Sequence, residues 1–181
     1  SKVSSVVPVL NRYYGVFDDG RIKMRGIEAR RGDTPPFIAE AQVEMVKALS
    51  KASNYEDFLE RIPVALKVLK GYAEKLVSNT VDVKELLIAK RLSEHPSDYR
   101  HDVFQAIAAN QLLKAGFDVY PGQTVQYLII CSKSKMKNAR VLAKQLINAK
   151  VNYDAEKYLE LLVSAADTLL RVFGCDSERI L

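Results

Sequence analysis

An α+β fold with helices in the majority is the class this sequence predicts, and three observations predict it. Two short β-type runs meet at an Asp-Gly turn near the amino terminus, apolar residues recur at three- and four-residue spacing over long stretches, and one isolated β-rich run spans 124–131.

Residues 12–18 and 21–28 carry the β-formers Tyr13, Tyr14, Val16, Phe17, Ile22 and Ile27. Asp18-Asp19-Gly20 joins them, and Asp-Gly supplies the positive φ that a tight hairpin turn requires. A β-hairpin is therefore predicted. Asp33-Thr34-Pro35-Pro36 then offers a capping residue followed by proline at the first helical position. Phe37, Ile38, Ala41, Met45, Val46 and Leu49 continue along one helical face, giving a helix to about residue 51. Ser53 with Glu56 reads as a capping box for a second helix, whose apolar positions run from Tyr55 to Leu76. Pro63 removes one backbone donor from it, so a kink or interruption is expected there.

Leu86-Leu87-Ile88-Ala89 is apolar but too short to type. Val103, Ile107, Ala108 and Leu112 mark a third helix over about 102–114, with Gly116 placed as its C-cap. Thr124 to Cys131 reads as a strand preceded by a Pro121-Gly122 turn and followed by a basic loop holding Lys133, Lys135 and Lys137. A last helix is capped near Asp154 and carries Tyr158, Leu161, Leu162, Ala165, Leu169 and Val172. The segments 78–85, 93–100 and 132–152 show the weakest signals.

The 181 residues suffice for one ordinary domain with a real core, and 48% apolar content argues against disorder. Lys and Arg outnumber Asp and Glu by 13 to 10 over residues 1–80 and by 11 to 6 over 81–150, but are outnumbered 3 to 6 over 151–181. The positive charge is thus concentrated in the middle of the chain, where an anionic partner is best sought. Cys131 and Cys175 stand far apart with no metal-ligand spacing, which argues against a zinc site or a disulfide framework and fits a reducing, cytoplasmic setting. Neither a run of 18 apolar residues nor a signal-peptide pattern is present, so no membrane partner is expected.

No catalytic signature stands out: there is no Gly-rich phosphate loop, no HExxH, no GxSxG and no paired-carboxylate motif. His95 and His101 lie six apart, off a common helical face, and Asp18-Asp19 is explained by its turn. What remains is a set of cations interleaved with hydroxyls and an aromatic: Lys90, Arg91, Ser93, Tyr99, Arg100, then Lys133, Lys135 and Lys137. Such residues neutralise phosphates and fix register without reading base sequence, although a similar cluster also serves as a plain solvated surface.

The string from Asn11 to Glu28, followed by Arg30, Arg31 and Asp33, resembles the segment of archaeal family B DNA polymerases that follows the palm's metal-binding motif and enters the thumb. Leu86 to Ser93, Asp98-Tyr99-Arg100, Lys114-Ala115-Gly116, Pro121-Gly122 with its strand, and Tyr153 to Tyr158 resemble successive thumb landmarks in the same order. The resemblance implies a terminal palm hairpin over residues 1–33 and a mainly helical thumb domain with a short strand-containing tip over 34–181. It further implies that the chain holds primer–template duplex DNA, as an excised fragment or as the small subunit of a split enzyme. Arg12 and Tyr13 are implied to follow the minor groove, with Asn11 standing where the family commonly has a lysine. Lys90, Arg91, Ser93, Tyr99 and Arg100 are implied to lie against the duplex, Arg91 and Arg100 foremost, and Lys133 and Lys135 of the basic loop are expected to bind DNA with them on their charge pattern. Tyr153 and Tyr158 are open to two roles, packing the thumb core or touching DNA, and Leu161 and Leu162 replace the asparagine and glutamine often found there.

The palm aspartates that bind Mg2+ for phosphoryl transfer are not in this sequence, so catalytic and metal-ligating residues are expected in another polypeptide carrying exonuclease, palm and fingers. No cofactor is expected on this chain itself. No clamp-binding peptide is found before Ile180-Leu181. The rival reading is a helical protein-interaction module whose hairpin joins a partner's sheet.

Overall fold

The computed structural model describes the backbone of residues 3–6, 13–17 and 22–25, and residues 32–172 in full save the side chain of Val172. Three strands, β1 (Val3–Val6), β2 (Tyr13–Phe17) and β3 (Ile22–Arg25), form an antiparallel sheet in that order. Tyr13 lies opposite Arg25 and Val16 opposite Ile22, which is the predicted hairpin pairing. Its Asp18-Asp19-Gly20 turn lies outside the described residues. No alternation announces β1, whose Val-Ser-Ser-Val sequence lacks period two and whose register slips between Val3 and Ser5.

Helix α1 (Pro36–Ser50) begins with proline at its first position, as expected, but Pro35 is the N-cap and no side chain caps it. Asp33, the expected cap, lies too early in the chain and instead holds Lys90 Nζ at 2.9 Å. Helix α2 (Tyr55–Val77) is capped one residue later than predicted, by Asn54 rather than Ser53. Asn54 Oδ1 accepts from Asp57 N at 2.8 Å, and Asp57 Oδ2 accepts from Ser53 N at 2.9 Å. Contrary to expectation, Pro63 does not interrupt α2. Proline, and the Leu59 turn its missing donor would have served, lie on the exposed side, where water can satisfy the freed carbonyl.

The Leu86 segment, untyped by sequence, passes from a 3-10 turn at Val83–Leu86 into strand β4 (Ile88–Arg91). Helix α3 (Phe104–Lys114) ends on Gly116 at φ +91°, and Phe117 N donates back to Leu112 O at 2.9 Å in a Schellman closure. Strands β5 (Thr124–Ile129) and β6 (Val141–Ala143) complete a second antiparallel sheet, ordered β4-β5-β6. Strand β6 falls within the stretch of weak signals. Its outer edge is satisfied by a buried side chain from α3: Gln111 Oε1 accepts from Ala143 N at 2.9 Å and Nε2 donates to Val141 O at 2.8 Å.

Asp154 caps helix α4 (Ala155–Val172) as predicted, accepting from Lys157 N at 2.9 Å. Its other oxygen accepts from Ser132 N at 2.8 Å and Ser132 Oγ at 2.7 Å, tying the basic loop to the helix start. Burial pushes the Asp154 carboxyl upward, but those hydrogen bonds and the nearby Lys133 outweigh it and leave it below the usual range.

Residues of α1, α3 and α4 bury Ile38, Ile107, Leu112 and Leu162 against Ile88 and Tyr127 of the second sheet, while Met45, Leu49, Ala65 and Leu169 form a second cluster among α1, α2 and α4. Tyr158 is completely buried, donating to Leu86 O at 2.7 Å and accepting from Ile129 N at 3.0 Å. Tyr153 donates to Leu76 O at 2.9 Å and packs edge-on to Tyr158. Of the two roles left open for these tyrosines, both occupy the core. Leu162 is likewise buried and offers no polar contact. Among the described residues no helix is long and apolar enough to cross a membrane.

Candidate functional site

Pairing between β4 and β5 sorts the central cations onto two faces. Ile88 lies opposite Tyr127 and Lys90 opposite Val125, while Ala89 lies opposite Gln126 and Arg91 opposite Thr124. Directly paired residues project to the same side, and successive ones to opposite sides. One face therefore carries Ile88, Lys90, Val125 and Tyr127; the other carries Ala89, Arg91, Thr124 and Gln126.

The second of these faces opens into a cleft of about 630 Å3, lined by Lys84, Leu87, Ala89, Gln126 and Lys144 together with Gly32, Thr34 and Pro36. Lys84 is set by the turn before β4, where Asp82 Oδ1 accepts its backbone N–H at 2.9 Å; Lys144 follows directly on β6. Among the described residues no carboxylate lines the cleft beside the two ammonium groups. Arg91 continues this face toward the end of β4, exposed and without an ion pair among the described residues. The 121–123 turn is bonded to that strand end, Gly122 N donating to Leu92 O at 2.7 Å and Leu92 N to Gln123 O at 2.8 Å. Gly122 adopts φ +88°, and a Cβ placed there meets Arg91 Nη2 at 3.6 Å, so turn and guanidinium lie side by side.

The remaining predicted residues divide into free and engaged groups. Tyr99 is half-buried and its hydroxyl accepts from Ser93 N at 2.9 Å, closing the loop after β4; Arg100, next in the chain, is exposed. Lys90 lies on the opposite face in its pair with Asp33. Lys133 Nζ donates to Glu156 Oε1 at 2.7 Å, and that hydrogen bond raises the lysine above its usual range. Lys137 pairs with Asp102 at 2.8 Å, whereas Lys135 is exposed with no ion pair among the described residues. Tyr13 is described by its backbone pairing with Arg25, and Arg12 lies outside the described residues.

The structure thus brings Arg91 onto one face with two cations that the sequence pattern passed over, Lys84 and Lys144. Both fall in stretches of weak secondary-structure signal, and only a recognised β6 would have placed Lys144 at a strand end. The arrangement suits sequence-independent contact with phosphates: flexible ammonium groups, one forked guanidinium, and the hydroxyl and amide of Thr124 and Gln126. It does not suit metal chemistry. Among the described residues no three of His, Cys, Asp and Glu converge, and His95 Nδ1 is taken up by Ser97 Oγ at 2.7 Å. The described residues therefore do not fit a divalent cation.

The family model for DNA polymerase family B matches residues 10–173. DNA polymerase 1 of Saccharolobus solfataricus is 31% identical over 170 residues, which are 93% of this chain and 18% of that protein. The DNA polymerase of Pyrococcus horikoshii is 26% identical over 172 residues, 94% of this chain and 13% of its own length. The structure of the family B DNA polymerase from the hyperthermophilic archaeon Pyrobaculum calidifontis superposes with a TM-score of 0.71 at 25% identity, covering 88% of this chain and 20% of that one. The chain spans about a fifth or less of these relatives.

Proposed function

Since the chain belongs to DNA polymerase family B, we propose that it is the part of a DNA-directed DNA polymerase that holds the primer–template duplex. In this reading residues 1–33 are the last part of the palm and 34–181 the thumb. The observation that carries it is the β4–β5 face on which Arg91 extends a cleft walled by Lys84 and Lys144, with no opposing carboxylate among the described residues. Cations left unneutralised by their own protein are the ones that gain most by releasing counterions from a phosphate backbone. Arg100 and Lys135 add exposed charge, whereas Lys90 and Lys133 are already paired and contribute less.

The chemistry of nucleotidyl transfer, with its Mg2+, belongs in this reading to a cytoplasmic polypeptide carrying exonuclease, palm and fingers. The present chain alone is inactive. Among the described residues β1 and β3 each pair on one side only, which leaves edges that strands of such a polypeptide can extend. Primer extension tests the proposal. Adding this chain to the polypeptide bearing the metal aspartates lengthens products and raises yield by orders of magnitude, and the chain alone extends nothing. Extension by this chain without a partner, or DNA binding indifferent to salt, refutes it.

A further inference from the structure

At its Arg91 end the basic face runs into a turn that presents an aromatic ring. Gln123 N donates to Tyr120 O at 3.2 Å, Pro121 and Gly122 stand between them, and Gly122 has φ +88°, the pattern of a type II turn. Gln123 Oε1 also accepts from Tyr120 N at 2.8 Å, so a side chain closes the turn a second time. Two backbone hydrogen bonds to Leu92 fasten it to the end of β4, beside the Arg91 guanidinium. Val119, 4% exposed, anchors the chain just before the turn, whereas Tyr120 is 59% exposed and Phe117, its N–H held by Leu112 O, is 45% exposed. Proline, turn and anchor restrict the backbone of Tyr120, so its ring is offered to solvent with little chain entropy left to lose on binding.

Charge around the turn is uneven. Arg91 flanks it on the β4 side, exposed and without an ion pair among the described residues, while Asp118 is exposed just before it in the chain. A phosphate is drawn to the first and repelled by the second. A base carries no charge and stacks on an open aromatic face, a contact that is tolerant of sequence. Inside a duplex each base is already stacked above and below, so only a strand with unpaired bases can use the ring. We propose that Tyr120 is a stacking site for an unpaired nucleotide of a DNA strand, the base lying on the ring and the phosphate on Arg91. Tyr120 thus adds a preference for unpaired strands to the proposed DNA-holding function, on which the phosphate role of Arg91 rests.

Fluorescence anisotropy of the complete chain with three labelled DNAs tests it: an oligothymidylate of about ten nucleotides, an abasic strand with the same phosphates, and a blunt duplex. Thymidylate leaves its bases unstacked and so open to the ring. It binds about tenfold tighter than the abasic strand, because only it has bases to stack. Tyr120→Ala removes that preference and Tyr120→Phe, which keeps the ring, retains it. Equal affinity for the two single strands, no binding of either, or a preference that survives in Tyr120→Ala overturns the proposal. So does a duplex affinity that falls in Tyr120→Ala as far as the single-strand affinity, since the ring then serves paired DNA as well. The duplex arm separates the two readings. A Tyr120-dependent preference without duplex binding sinks the duplex-holding function alone, and duplex binding without that preference sinks the stacking site alone.

Discussion

Strands β4 and β5 present two faces made of alternating residues of the same short segments, and the two could hardly differ more. Ile88, Tyr127 and Ile129 look into an apolar cavity covered by α1, α3 and α4. Ala89, Arg91, Thr124 and Gln126 look onto a cleft whose remaining walls are Lys84, Lys144 and the segment leading into α1. Period-two alternation lets one strand pair serve the core on one side and form a cationic surface on the other, so a perturbation should register on one side only. Lys90 is the instructive exception. It sits on the apolar side and is tolerated there because Asp33 meets it at the rim.

The largest expected effect is on the basic side. Lys84→Glu combined with Lys144→Glu should weaken duplex binding about a hundredfold at roughly 50 mM salt, because two phosphate contacts are lost. Stability should change by no more than about 0.5 kcal/mol, as is usual for surface substitutions. Fluorescence anisotropy and urea unfolding measure the two quantities, and a large stability loss with unchanged DNA affinity would break the division of labour. On the apolar side the reverse is expected. Tyr158→Phe strands Leu86 O and Ile129 N in the core and should cost about 2 kcal/mol of stability while leaving DNA affinity unaltered where the variant is folded.

A finer probe is Arg91→Ala against Lys90→Ala. The first should lower the salt slope of log affinity by about 0.9, whereas the second, removing a cation already paired, should lower it by clearly less. Equal slopes would mean that Asp33 releases Lys90 when DNA arrives. The smallest effect concerns pH. Asp154 has a folded pKa below its unfolded one, so its contribution is complete above the unfolded value and is lost as pH falls through the folded value. Unfolding followed from about pH 6 to pH 2 should show a stability loss that Asp154→Asn reduces, with DNA affinity of the folded protein at neutral pH unchanged.

Several elements were legible because their causes are local. The β2–β3 pairing, the proline start of α1, the Gly116 closure of α3 and the Asp154 cap all act within a few residues. The errors are also local rules that context overrode. Pro63 lies on the exposed side of α2, where a lost hydrogen bond is replaced by water, and Asn54 outcompeted Ser53 one residue away for the cap. Strand β6 is only three residues long and is held by Gln111, about thirty residues distant, so no window around it could have revealed it. In the candidate site Arg91 was legible, whereas Lys84 and Lys144 were not, since their shared cleft exists only once β4, β5 and β6 are paired.

By itself the sequence determined the helices, the hairpin, the basic middle of the chain and, through ordered landmarks over most of its length, the family. Those properties follow from spacing along the chain. Only the tertiary structure decided which cations are paired among the described residues. Lys90 and Lys133 look no different from Arg91 and Lys135 in sequence, but the fold brings Asp33 and Glu156 to the first two. The fold likewise committed Tyr153 and Tyr158 to backbone carbonyls of the core. The physical reason is the same in each case: a charge or a hydroxyl is defined by its nearest partner, and that partner is supplied by a distant part of the chain.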